Sequence, residues 1–486
     1  MTIPQLEPKS LWTYFDRLNA IPRPSKKEER VQAWVVELGN NWGFKTQVDA
    51  VGNVLIQKPA TPGMENRTRI VMQSHLDMVC QKNADTDFDF NTDGIRMYVD
   101  GDWVRAEGTT LGADNGIGVA TILAILDSTD IPHPAVDALF TIDEETGMTG
   151  ALGLQGGFLE GEILLNLDTE DDDEISIGCA GGVDVTSRGT YESEVPVAGL
   201  LTMKLALTGA SGGHSGMDIH KGLANANKLM NRLLLSAYDA VDFRIEELAG
   251  GGLRNAIPRE SHCTVVLDPS DADNFTAAMD AEFAKIGAEY KTTDPELNMI
   301  CAVSKNGAGE VLPEDVQESL LLAIQACPVG IHRMSPDIAN LVQTSNNLAR
   351  VEVKNGTISI QCLCRSSVDS EKDDHARSIA ASFALAGLET DYSGVYPGWT
   401  PNPSSSIVAT MKSLYEEKYG EEPRVLACHA GLECGILGTN YPEMDMVSFG
   451  PNIRGAHSPD ECVQISSVQK FWDYLLDALQ QIPLKQ

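Results

Sequence analysis

Three short apolar runs, at 70–73, 138–142 and 163–167, each lead almost directly into ionisable side chains: Ser74-His75-Leu76-Asp77, Asp143-Glu144-Glu145 and Asp168-Thr169-Glu170. Runs this short and apolar suit strands buried on both faces, as in parallel sheets. A fourth run lies at 53–57. Helical spacing marks the opening segment 11–43, which Pro22 and Pro24 break and 26–38 resumes, and the stretch 115–126 after a glycine-rich turn also reads as a helix. Strands alternating with helices predict an α/β domain with a mainly parallel sheet and helices on both faces. Ligands of such sheets gather beyond the carboxyl ends of the strands, where His75 and these acids fall.

From about Gly181 the pattern changes. Residues 202–207 alternate as a strand does and lead to Gly212-Gly213-His214-Ser215-Gly216, followed by a helix over 224–237 and a strand over 263–267. A comparable order recurs: helix 315–326, strand 357–360, helix 372–386. This predicts an inserted α+β domain over 185–395, compatible with an internal duplication, within a discontinuous domain of 1–184 and 396–486. The 486 residues, 42% hydrophobic, suffice for two cores.

The formal charge of −34, from 70 acidic and 36 basic residues, argues against nucleic acid and anionic membranes as partners, since both select a basic surface. No apolar run reaches the roughly eighteen residues of a membrane-spanning helix, and residues 1–7 lack the features of a signal peptide. The ten cysteines are scattered without a CxxC pair, which predicts reduced thiols in a cytoplasmic protein. Cys362 and Cys364 share a strand face; a metal pair there is the lesser reading, with no histidine beside them.

Five segments concentrate possible ligands. On an extended chain His75 and Asp77 point the same way, so the carboxylate can steady the imidazole toward a metal; the same pair alone can equally be a polar strand end. Asp114, in Gly112-Ala113-Asp114-Asn115-Gly116, can cap the next helix or bridge two cations. The adjacent acids 143–145 need solvent or cations, and one of them could bind metal while its neighbour takes a proton from water. Asp168 ends the next strand, and the acids 171–174 beyond it read as a solvated loop. The fifth segment is Gly455-Ala456-His457-Ser458-Pro459-Asp460-Glu461. Imidazole and carboxylate donors together suit zinc, cobalt or manganese better than calcium or magnesium.

In this order and spacing the segments resemble the co-catalytic zinc peptidases of the aminoacylase and carboxypeptidase type, and most closely their dipeptidase branch. The likeness extends to the non-catalytic stretches 58–67 and 441–448. It implies two Zn2+ ions, replaceable by Co2+ or Mn2+, held by His75, Asp114, Glu145, Asp168 and His457, with Asp114 bridging. It further implies Asp77 as the carboxylate that steadies His75 and Glu144 as general base, leaving Asp143 outside the motif. The inserted domain would be a lid whose His214 polarises the scissile carbonyl, while Asn255 and Arg365 hold the substrate, Arg365 as a two-pronged donor to a terminal carboxylate. The expected activity is hydrolysis of unblocked dipeptides, Xaa-His among them. Small peptides are the expected partners, and a homodimer is an assembly the resemblance allows.

Two rival functions stand beside this one: an amidase or deacylase of N-acyl amino acids on the same scaffold, and a silent metal- or peptide-binding protein. The intact Glu144-Glu145 pair argues against the second. Cys80 stands where relatives usually carry proline, and an exposed thiol there would be sensitive to oxidation. His429 and Glu433 either line the substrate pocket, with Glu433 attracting a free α-amino group, or support the structure. Ser215 and Ser458 lack a nucleophile elbow, and His133, His220, His262, His332 and His375 show no ligand pattern.

Overall fold

The apolar runs are strands buried from end to end, and the computed structural model, which describes residues 2–305 and 307–485, places them side by side. Two compact units divide the chain: Met1–Cys179 with Trp399–Ala427 and Leu432–Gln486, and Ala180–Gly398 with Cys428–Gly431. The second unit starts a little before the expected 185–395 and ends a little after it. Its strand Gly181–Thr190 pairs over its whole length with Thr357–Ser366, which carries the boundary back to Ala180.

In the first unit an eight-stranded sheet has a parallel centre, Val136–Thr141, Ile70–His75, Ile163–Asn166 and Asp445–Ser448, in that order. Antiparallel neighbours flank it, Val54–Lys58 on one side and Glu174–Cys179 on the other, so the sheet is mixed rather than wholly parallel. His75 is in register with Thr141, and Gln73 and Ser448 are both in register with Asn166. The four carboxyl ends therefore lie together. The helix Ala113–Asp127 is buried on nearly every side, as a stretch over 116–126 whose one polar residue is Thr121 requires. Gly118 lets it approach the sheet, since a Cβ there would meet the Leu167 carbonyl at 2.7 Å. The helices Lys9–Asn19 and Ile465–Gln481 bury one stripe each: Leu11, Trp12, Phe15 and Leu18 in the first; Val468, Phe471, Trp472 and Leu475 in the second. A small antiparallel sheet joins Met97–Asp100, Trp103–Ala106, Cys462–Gln464 and Ile453–Arg454.

The second unit is α+β. Its antiparallel nine-stranded sheet includes Leu201–Thr208, Ser261–Leu267, Val342–Lys354 and Thr357–Ser366. Met203, Leu205 and Leu207 alternate inward and share one core with Leu229, Leu233, Phe275, Met279, Leu320, Ile324, Ile379 and Phe383 from four helices. Cys362 and Cys364 lie in this core and belong to no group of three or more metal donors among the described residues. None of the ten cysteines is in a disulfide. No helix among the described residues is long and apolar enough to cross a membrane.

His375 is buried in the second unit, both ring nitrogens without a hydrogen-bond partner, and its ring stacks on His332 at 4.1 Å. Burial, and then His332, push its pKa down to about 4. The unfolded chain, with an ordinary histidine near 6.5, binds the proton first, so stability is lost as pH falls from about 6.5 toward 4. His375→Leu removes that loss. Its thermal midpoint should fall less between pH 7 and pH 4.5 than that of the parent; equal falls would refute this assignment.

Candidate metal centre

Every segment of the first unit that ends in a possible ligand converges on Asp114. The turn before it needs Gly112 at φ 71, and Asp114 itself leaves helical geometry before the helix proper begins. One carboxylate oxygen, Oδ1, lies 3.1 Å from His75 Nε2; the other, Oδ2, lies 3.3 Å from His457 Nε2. Asp168 Oδ1 stands 3.7 Å from His75 Nε2, and Glu145 Oε2 stands 3.0 Å from His457 Nε2. The donors thus fall into two sets, His75 with Asp168 and His457 with Glu145, and Asp114 gives one oxygen to each.

The strand Ile70–His75 delivers His75 at its last residue. His457, at φ 64, sits in the loop between Ile453–Arg454 and Cys462–Gln464, and the latter strand is pinned by pairing with Trp103–Ala106. Asp168 follows Ile163–Asn166 and is held by Asn115, whose Nδ2 donates to Asp168 Oδ1 and to the Leu167 carbonyl. Glu144 and Glu145 open a one-turn helix after Asp143, which takes φ 52 and accepts from the Thr146 and Thr149 hydroxyls. Asp143 is thereby used in shaping the turn.

Asp77 does more than the His-x-Asp spacing suggests. Its Oδ1 lies 3.3 Å from His75 Nδ1 and accepts the Glu144 N–H at 3.0 Å; its Oδ2 accepts the Glu145 N–H at 3.2 Å and the Ser25 hydroxyl at 2.8 Å. One buried carboxylate therefore orients His75 and fixes the acidic pair. Burial would raise its pKa, but His75 and these donors outweigh burial and hold it down at about 2.

The electrostatics are those of a cation site. Burial opposes a charge on His75, yet Asp168, Asp114 and Asp77 hold its pKa well above 6.5. Hydrogen bonds to Asp114 and Glu145 lift His457 to about 11. Burial and then Asp114 raise Asp168 to about 8, against the opposing charge of His75. Burial, with Asp168, Glu145 and Glu433, raises Glu144 well above 4.5. Glu145 Oε1 is buried without a hydrogen-bond partner. Such crowding of acids is relieved by positive charge, and His75, Asp114 and Glu145 each bring a ligand atom within 4.8 Å of the other two. Two imidazoles and three carboxylates, with an unsatisfied buried oxygen among them, fit a pair of divalent ions.

The remaining candidates lie elsewhere or serve otherwise. His214, Asn255 and Arg365 belong to the second unit. His214 pairs with Ala256, and its Nδ1 accepts the Gly216 and Met217 N–H groups at 3.2 and 3.0 Å. That places the proton of the neutral ring on Nε2 and makes this nitrogen a donor. Arg365 is buried, its Nη1 donating to Tyr396 Oη at 2.9 Å and its Nε lying 3.4 Å from Ser215 Oγ. His429, in the same unit, meets Ser345 Oγ at 2.8 Å; burial and then Arg365 keep it neutral with a pKa of about 3. Glu433, in the first unit, is fully buried, and its Oε2 accepts from Gln73 and Thr141 at 2.6 Å each. Ser458 donates to the Gly455 carbonyl and so shapes the His457 turn. Cys80 departs from its expected exposure: it is half-buried, and burial pushes its thiol up to about 11, which leaves little thiolate for oxidation.

Asp77→Asn keeps the shape but puts an amide among donors. It should lower metal content and turnover together, by about 10–100-fold for a partner behind the ligands. Metal analysis beside a dipeptide assay checks this; full metal content with unchanged turnover would contradict it.

Residues 71–481 match the model of peptidase family M20/M25/M40. The chain is 42% identical over 481 residues to the cytosol non-specific dipeptidase of Escherichia coli (strain K12), covering 99% of each sequence. It resembles the crystal structure of aminoacylhistidine dipeptidase from Vibrio alginolyticus with a TM-score of 0.92 and 44% identity, covering 100% of this chain and 99% of the other. A tripeptidase from Staphylococcus aureus shares the fold at 14% identity, with a TM-score of 0.57 over 98% of this chain and 99% of that one.

Proposed function

Because the chain belongs to peptidase family M20/M25/M40, we propose that it is a metal-dependent dipeptidase acting on unblocked dipeptides, Xaa-His among them. Its extensive likeness to two proteins named as dipeptidases supports the substrate class. The observation that carries the metal reading is the division of Asp114 between His75 and His457. His75, Asp114 and Asp168 would hold one ion, and Asp114, Glu145 and His457 the other. Zinc is the metal proposed, on the donor chemistry, with cobalt or manganese able to replace it. When bound, such a pair supplies Lewis acidity and lowers the pKa of a water to roughly 7.

The protein's own groups account for the rest. Glu144, held at its backbone by Asp77, takes the proton from the attacking water and returns it to the departing amine. Asp77 keeps His75 in the tautomer that presents Nε2 to metal. His214, with its Nε2–H, would polarise the scissile carbonyl, and Asn255 and Arg365 would hold the substrate's polar groups. A cytoplasmic location accords with cysteines that form no disulfide and with the name of the Escherichia coli relative.

Glu144→Ala should keep its metal and lose nearly all turnover, on the order of 10²–10⁴-fold for a lost general base. Hydrolysis at the parent rate with metal content verified would remove Glu144 from this role. The same preparation separates the deacylase alternative: free dipeptides should be cleaved and their N-acetylated forms left intact.

A further inference from the structure

Two buried charges of the first unit take no part in the chemistry above, and both grip the backbone that carries the ligands. Arg23 is 1% exposed and Glu461 2%. Charges are seldom buried this deeply without dense pairing. Arg23 Nη1 donates to the carbonyls of Leu76 and Asp77 at 3.1 and 2.7 Å, and its Nη2 to those of Gly112 and the Asn19 side chain at 2.5 and 3.2 Å. Glu461 Oε2 accepts the N–H groups of Leu111 and Gly112 at 2.7 and 2.9 Å; its Oε1 accepts those of Ala113 and Asp114 at 2.7 and 3.3 Å.

Gly112 is where the two grips meet. Its N–H goes to Glu461 and its carbonyl to Arg23. A Cβ there would meet Arg23 Nη2 at 2.5 Å, and one at Gly116 would meet it at 2.8 Å. A helix start is ordinarily capped by a side chain of its own turn. Here the cap comes from a carboxylate 348 residues further along the chain from Ala113, four positions past His457.

Resting on the metal-dependent reading above, we infer that Arg23 and Glu461 form a positioning pair for the metal centre. Arg23 ties the His75–Asp77 turn to Gly112, and Glu461 ties the Asp114 loop to the segment bearing His457. Between them they set the spacing of the three segments on which the division of Asp114 depends. Neither touches substrate.

The test uses the full chain, stripped of metal and titrated with Co2+ against a competing chelator, with visible absorption reporting coordination and near-UV circular dichroism reporting folding. Glu461→Gln sets an amide N–H2 against backbone N–H donors. Arg23→Lys replaces a fork by a single ammonium. Both should weaken Co2+ binding by about 10–100-fold and alter its absorption bands, with Glu461→Asp, which keeps the charge, in between. At saturating metal, kcat should fall while KM for a dipeptide stays unchanged. Folded Glu461→Gln and Arg23→Lys proteins with parental Co2+ affinity and spectrum would overturn the inference. Should Glu461→Gln fail to fold, Glu461→Asp and Arg23→Lys are judged by the same criterion. Failure of all three to fold would assign the pair to folding alone and also overturn it. A parent chain that takes up no Co2+ would instead sink the metal-dependent reading, and this inference with it.

Discussion

Asp114 stands between two imidazoles, one oxygen to each, and the rest of the first unit is arranged to keep it there. Asp168, Glu145 and Glu144 crowd the same place, and like charges about 4 Å apart repel by roughly 4 kcal/mol at an effective dielectric near 20. Left alone, such a cluster relaxes by taking up protons, spreading apart or drawing in cations. Raised pKa values at Asp168 and Glu144 express the first tendency. Spreading is opposed by a frame built from four parallel strands, whose shared register brings their carboxyl ends together. Cations relieve the repulsion without protonating the acids, and two imidazoles, each beside one oxygen of a single carboxylate, mark where two would sit.

Holding acids against their own repulsion needs partners behind them, and these come from distant parts of the chain. Asp77 fixes the amides of Glu144 and Glu145 while facing His75. Asn115 holds Asp168. Hydrogen bonds to a charged group contribute roughly 1.5–3 kcal/mol each, so one buried carboxylate with several amide donors can set the position of a loop. Beneath them Glu433, Gln73, Thr141 and Asn166 form a connected polar layer at the strand ends. The same economy appears in the second unit, where two backbone amides settle the tautomer of His214.

Much of this frame was legible in the sequence because parallel strands buried on both faces need unbroken apolar runs. The runs at 70–73, 138–142 and 163–167 sit within or beside the strands Ile70–His75, Val136–Thr141 and Ile163–Asn166. The helix Ala272–Tyr290 was not legible. Its buried positions Phe275, Met279, Glu282 and Ile286 have helical spacing, but one is a glutamate, kept in place by Arg232 and Lys285. A charge inside an apolar stripe hides the period. The small sheet that pins the His457 loop was missed for another reason: it pairs Trp103–Ala106 with Cys462–Gln464, and no local pattern announces a partner so remote. The motifs alone left each site residue with a plain alternative, and the bridging role of Asp114 came from the family resemblance, since its own turn reads equally as a helix cap; the placing of one oxygen beside each imidazole appears only where three segments meet in space.

Anomalous diffraction at the zinc edge, on crystals of the metal-restored protein, tests the central claim most directly. Two peaks about 3.5–4 Å apart, one beside His75 and Asp168 and the other beside His457 and Glu145, with Asp114 between them, are the predicted result. A single peak, or two that do not share Asp114, would contradict it.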